Sequence, residues 1–381
     1  MSKAANQRST SGTANTNAMR RELLAWYARH KRELPWRRDR DPYRVWVSEI
    51  MLQQTRVAAV LEHYHAFLQA FPTLQHLAGA PEEQVLARWS GLGYYRRART
   101  LHQAARKVAG EMGGAIPRDE QALRMLPGVG RYTAAAIASI AFGEPVAVLD
   151  GNVERVLGRL DGKKRSSTAA WKRAQELLDP GQPGDWNQAM MELGATVCTP
   201  RNPQCPACPL HIWCRAPGAD TSRQRPAHRK VQSVRNLIAR GECIFLVQRP
   251  ADAAKMAGMW ELPECSAPSP QPAKDWLVGD PSPQPAKEGL VGDPAAESKP
   301  RRGELCGAPG EPAVGLLGLV VRHSITDTDY TVRVLRLGLR SLGPKQKLAG
   351  RWVRRQEAFE LPLTGLTRKI LRRVPGPDGL R

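Results

Sequence analysis

Apolar residues recur at helical spacing along most of residues 18–216. MRRELLAWYARH (19–30), YRVWVSEIMLQQTRVAAVLEHYHAFLQAF (43–71), PEEQVLARWSGL (81–92) and YRRARTLHQAARKVAGEM (95–112) carry the period. DEQALRML (119–126), YTAAAIASIAF (132–142) and NVERVLGRL (152–160) continue it. Long alternating β-branched runs are absent there, so the stretch reads as an all-α domain of many short helices. Beyond residue 236 the pattern changes. LIARGECIFLVQRP (237–250) has strand content on both sides of a glycine turn, and VGLLGLVVRHS (314–324) and DYTVRVLRLGL (329–339) are strand-like. Residues 236–375 therefore read as a second, α+β domain. The polar, basic stretch 217–235 reads as the linker between the two.

Two segments lack the apolar content for a core. SPQPAKDWLVGDP (269–281) is repeated at once as SPQPAKEGLVGDP (282–294), and residues 265–312 read as a disordered insertion. Residues 1–17, rich in Ser, Thr and Asn, read as a disordered tail rather than a signal peptide. No run of apolar residues reaches membrane-spanning length. A cytoplasmic, nucleoid-associated monomer is the expectation.

Charge narrows the function. A formal net charge of +21 implies a polyanionic partner, most simply nucleic acid, against the plainer alternative of a basic solvated surface. Four of the seven cysteines, Cys198, Cys205, Cys208 and Cys214, fall within 198–214 with spacing C-x6-C-x2-C-x5-C. Four thiolates so spaced hold a [4Fe–4S] cluster or close a tetrahedral zinc site. The single CxxC favours iron–sulfur over a zinc ribbon. Cys243, Cys265 and Cys306 are isolated and receive no role.

LPGVG (126–130) precedes a run of small helix formers. Gly128 and Gly130 permit a tight turn and a close approach to another surface. The amides of Gly128, Val129 and Gly130, at the positive end of the next helix, suit a phosphate. The alternative is a helix–turn–helix corner without a ligand. Glu49 sits on an apolar helix, where a carboxyl facing a cleft has a raised pKa and serves as a proton donor. Otherwise it is a solvated helix charge. Asp150 lies before a helix whose buried face is Val153, Val156, Leu157 and Leu160. The helix end is expected to lower its pKa, and it doubles as an N-cap. One raised and one ionised carboxyl is the pattern that breaks a glycosidic bond through a cationic sugar.

LPWR (34–37), DPYRVWVSEIMLQQT (41–55), GLGYYRRARTLH (91–102), LPGVGRYTA (126–134), LDGNVERV (149–156) and the four cysteines occur in this order. Together they resemble the helix-hairpin-helix DNA glycosylases, and within them the adenine-mismatch glycosylases of MutY type. The resemblance is dense over about residues 18–215 and loose beyond. It implies removal of adenine mispaired with 8-oxoguanine or guanine in duplex DNA. By motif, Glu49 matches the residue that protonates adenine. Asp150 matches the carboxylate that stabilises the sugar cation, and Asn152 the polar residue beside it. Gln54 and Tyr94 match side chains wedged into the duplex while adenine is flipped out. The cysteines match the ligands of a [4Fe–4S] cluster.

Tyr132 occupies the slot of the lysine that attacks the sugar in endonuclease III-type relatives. A phenol implies base removal without a dedicated lyase step. The second domain resembles the family's Nudix-like domain, expected to read the 8-oxoguanine strand. It lacks the glutamate-rich run of the parent hydrolases, so no hydrolase activity is expected. Its RHSITDTDY (322–330) departs from the usual Phe, Ser or Thr, His pattern. Thr326 keeps a hydroxyl for the DNA, whereas Ile325 and Asp327 break the pattern, with His323 a substitute in another register. Glu154 replaces a lysine found in some members. Two rival functions remain: a bifunctional endonuclease III-like lyase, opposed by Tyr132, and a non-catalytic iron–sulfur DNA-binding protein, opposed by Glu49 and Asp150.

Overall fold

The computed structural model describes residues 2–221, 227–264, 314–325, 327–337 and 350–374, with the backbone alone for 2–14 and 314–318. The insertion read over 265–312, its repeat, and Thr326 lie outside the described residues. The chain divides into two compact units, Met1–Arg225 and Pro226–Arg381.

The first unit is helical: α1 (Ser2–His30), α2 (Pro42–Leu52), α3 (Val57–Ala70), α4 (Leu74–Gly79), α5 (Glu82–Trp89), α6 (Arg96–Glu111), α7 (Glu120–Arg124), α8 (Arg131–Phe142), α9 (Gly151–Asp161), α10 (Ser167–Leu177) and α11 (Pro183–Thr196). Starts and stops follow local chemistry. Asp41 caps α2 by accepting from the Arg44 amide, with Pro42 in the first turn. Asp150 caps α9, which Gly162 ends in the left-handed region.

The backbone of the stretch read as a disordered tail, 1–17, runs helically from Ser2 into α1. The continuous period over 43–71 is broken at Gln53–Arg56 into α2 and α3, with Gln54 at φ 54°. No glycine or proline marks that break. Among the described residues no helix is long and apolar enough to cross a membrane.

One core joins Leu23, Trp26 and Tyr27 of α1 to Val153, Val156, Leu157 and Leu160 of α9 and to Trp186, Met190 and Leu193 of α11. Cys198, Cys208, Trp213 and Cys214 pack against it, which ties the cysteine loop to the helix that starts at Asp150. On α11 the buried Glu192 takes Arg32 Nε at 2.7 Å and Arg37 Nη2 at 2.8 Å. Burial pushes its carboxyl up, but the hydrogen bonds from Arg32 and Arg37 outweigh that and hold it at about 2.

The second unit holds a six-stranded mixed sheet in the order β3-β2-β1-β5-β4, with β6 on β2. The strands are β1 (Arg229–Arg240), β2 (Cys243–Gln248), β3 (Trp260–Glu261), β4 (Val314–Ile325), β5 (Thr328–Leu337) and β6 (Gly350–Arg354). Among the described strand pairs, β1–β5 alone is parallel. Helices α12 (Arg355–Ala358) and α13 (Gly365–Arg373) complete the unit. Ile370 and Leu371 of α13 enter a core with Leu237, Leu246 and Val334. β1 begins at Arg229, inside the stretch read as a linker. It pairs with β5 a hundred positions away, Arg229 opposite Thr328, a partner no local window contains.

Glu192→Ala should cost about 3 kcal/mol, because it strands two cationic groups whose buried partner is gone. A carboxyl held at about 2 contributes in full above its unfolded value near ~4.3 and loses the contribution as pH falls toward about 2. Urea unfolding of both proteins should therefore show a gap at neutral pH that closes in that acid window. A gap independent of pH would contradict the ion pair's role.

Candidate active site

α2 buries Tyr43 and the whole run Val45–Met51, and Glu49 within it is only 6% exposed. Its Oε2 accepts from the Tyr132 hydroxyl of α8 at 2.8 Å, and that hydroxyl also contacts Met191 Sδ of α11 at 3.4 Å. Burial pushes the Glu49 carboxyl up to about 7. The Tyr132 bond opposes the rise, the negative charge of Asp150 adds to it, and Arg37 opposes it. Desolvation and both carboxylates push the Tyr132 phenol well above its ordinary value, so it acts as a donor.

Asp150 is half-buried at the head of α9. It accepts from the amides of Asn152 at 2.9 Å and Val153 at 2.7 Å, and from Asn152 Nδ2 at 2.8 Å. The expected lowering of its pKa is not found. Burial raises it, against the opposing pull of those three bonds and of Arg155. Asn152 is itself held, its Oδ1 accepting from Arg155 Nη2 at 2.8 Å. Arg155 also donates to the carbonyls of Gly194 at 2.7 Å and Cys198 at 2.8 Å. A Cβ on Gly194 would stand 2.6 Å from that of Asn152, so only glycine lets α11 come this close. Glu49, Tyr132, Asp150 and Asn152 thus form one constellation. Met191 and Arg155 belong to it without any sequence signal beyond their helical positions.

Two exposed residues stand in the left-handed region: Gln54 at φ 54° and Tyr94 at φ 47°, the latter 45% exposed. Side chains other than glycine pay ~1–3 kcal/mol there, and such strain gathers at functional sites. In the hairpin between α7 and α8, Gly128 at φ 75° lies in a turn closed by the Val129 amide donating to Leu126 at 3.1 Å. A Cβ on Gly128 would meet Thr100 Oγ1 at 2.5 Å. The Val129 amide is therefore spent inside the turn and its side chain is buried, which removes it from the expected phosphate set. The Gly128 and Gly130 amides find no acceptor among the described residues, and Gly130 heads α8 without a side-chain cap.

The four cysteines are half-buried and free of disulfides. Cys205 and Cys208 bracket one short turn, and His211–Trp213 forms another before Cys214. The thiols feel one another. Burial pushes Cys208 up to about 11, with the Leu210 amide opposing and Cys198, Cys214 and Cys205 adding. Arg159 Nη1 donates to Cys198 Sγ at 3.1 Å. Among the described residues no group of three or more His, Cys, Asp or Glu has the arrangement of a metal-ion site. In the second unit Ile325 ends β4, Asp327 is exposed, and Ser324 Oγ donates to Asp329 at 2.6 Å. Burial lowers the His323 pKa, and Lys369 lowers it further.

Residues 47–180 match the model of the HhH-GPD superfamily base excision DNA repair proteins. The adenine DNA glycosylase of Mycolicibacterium smegmatis is 42% identical over 203 residues, which cover 52% of this chain and 69% of that protein. The chain belongs to the adenine DNA glycosylase family. The human member is 55% identical over 218 residues, 53% of this chain, and the chain spans only 40% of that protein's length. A thermostable thymine-DNA glycosylase structure superposes with TM-score 0.51 at 30% identity, covering 54% of this chain and 97% of that one. The family model falls within the helical unit, where the whole constellation lies.

Tyr132→Phe in this family member removes a hydrogen bond that favours the charged form of Glu49. The Glu49 carboxyl should then titrate above its present value of about 7. Carbon NMR of labelled glutamate would read the shift. A titration unchanged or moved downward would contradict the bond's assigned effect.

Proposed function

We propose that the chain is an adenine DNA glycosylase that hydrolyses the N-glycosidic bond of adenine mispaired with 8-oxoguanine or guanine, acting as a monomer on duplex DNA. The observation that carries the reading is the buried Glu49, raised to about 7, beside the charge of Asp150. At neutral pH a good fraction of Glu49 holds its proton. Flipped adenine accepts that proton at a ring nitrogen, which turns the base into a better leaving group. The sugar is left cationic as the C–N bond breaks. Asp150, fixed by Asn152 and the first amides of α9, faces it with preorganised negative charge. Water completes the hydrolysis. Tyr132 orients Glu49 and offers no amine to the sugar, which favours base removal over the lyase reading.

DNA contacts are assigned to Gln54 and Tyr94 as wedges and to the free amides of Gly128 and Gly130 as a phosphate cradle. The +21 charge supports a polyanionic partner. Four mutually sensed thiols, with Arg159 on Cys198, suit a [4Fe–4S] group better than isolated core cysteines. Cys198, Cys205, Cys208 and Cys214 would hold it, and its iron–thiolate bonds would staple the loop against α9 and α11. The second unit, a mixed sheet, is read as Nudix-like, and Thr326, outside the described residues, is assigned to the base opposite adenine.

Glu49→Gln keeps size and polarity but has no proton to give. Single-turnover excision of adenine opposite 8-oxoguanine should fall by ~10²–10⁴ while DNA affinity holds. Asp150→Asn should fall too, by loss of charge. Near wild-type excision by Glu49→Gln would end this reading.

A further inference from the structure

The sequence groups Arg97 with the basic residues of YYRRAR, a set suited to phosphate. The structure turns it inward. Its two terminal nitrogens reach six oxygens: the carbonyls of Ile50, Met51, Gln53, Leu92 and Gly93 and the hydroxyl of Thr55. Those to Ile50 and Met51 are 2.9 Å, and that to Thr55 is 3.0 Å. The guanidinium lies 5.5 Å from the Trp89 ring and 5.3 Å from the Tyr94 ring. Burial lowers its pKa to about 10, which leaves it charged at neutral pH.

The acceptors fall in two groups. Ile50 and Met51 lie in the last turn of α2, directly after Glu49, and Gln53 and Thr55 flank the strained Gln54. Leu92 and Gly93 precede the strained Tyr94, whose ring packs on the same guanidinium. Thus one planar cation fastens both left-handed turns to each other and to the end of the helix that carries Glu49. A lysine has a single ammonium with three tetrahedral donors, and it cannot serve two turns in one plane.

We propose that Arg97 is a positioning residue that locks the Gln54 and Tyr94 turns into one rigid wedge, so that both side chains enter the duplex together at a fixed offset from Glu49. The inference rests on the proposed reading of those two residues as wedges. Strain at each turn is held by the same group, so its loss releases both at once. The defect falls on the unstacking of adenine, not on the proton transfer that follows.

The test compares wild type, Arg97→Lys and Thr55→Val in single-turnover excision, each normalised to its burst-measured active fraction. Two duplexes are used: adenine opposite 8-oxoguanine in a fully paired context, and the same pair with a mismatched neighbour that weakens the stack. Arg97→Lys should be slowed about 10²-fold on the first duplex, the scale of a small misplacement in a site, and only a few-fold on the second. Thr55→Val should show the same pattern more weakly. With 2-aminopurine in place of the adenine, the brightening on binding should be lost in Arg97→Lys. Equal deficits on both duplexes, or none, would overturn the proposal. Should Arg97→Lys fail to fold, the Thr55→Val comparison decides on the same terms. If wild type excises adenine from neither duplex, the functional reading falls, and the 2-aminopurine comparison alone decides the role of Arg97.

Discussion

A carboxyl stripped of water must find a strong partner or give up its charge, and Glu49 sits at the balance point. Among the described residues its sole hydrogen-bond donor is a phenol, which cannot neutralise it. Asp150 makes a second negative charge there costlier still. The surrounding helices serve this balance. α2 surrounds Glu49 with buried apolar residues, α8 brings Tyr132, α9 presents Asp150 at its head, and α11 sets Met191 against the Tyr132 hydroxyl. Contrast Glu192, equally buried but met by two arginines, which is held ionised down to about 2. The same side chain becomes an acid or a structural anion according to whether a cation reaches it.

Fixing those groups depends on main-chain carbonyls more than on side-chain pairs. Arg155 holds Asn152 through the ends of α11 and the cysteine loop. Arg159 gathers Thr199 and Pro200 from that loop and Ala219 beyond it. Arginine suits such work, since its planar fork meets several carbonyls without losing charge. Arg97, Arg155 and Arg159 thus serve as internal scaffolding, and counting every basic residue overstates the surface offered to DNA.

What the sequence could show follows from the range of the physics. Helices with one apolar face were visible because their signal is local: the Val153–Leu160 stripe of α9 and the small-residue run of α8 lie where their periods put them. Glu49, Tyr132 and Asp150 converge as motif order implied, although their meeting spans a hundred positions. The failures are sums of opposing effects or distant pairings. Asp150 was expected to be lowered by its helix, but burial is the larger influence. The Val129 amide was available on paper until the turn used it. Nothing in QQTR announces a helix break. That turn is paid for by Arg97, which comes from another helix.

The most direct measurement is the pH dependence of single-turnover excision by the wild-type protein, with DNA saturating and adenine opposite 8-oxoguanine. Protonated Glu49 as the acid requires a rate that is level below about 7 and falls about tenfold per pH unit above it. A rate that stays level or climbs through pH ~9 would contradict a buried, proton-bearing Glu49 at the centre of the site.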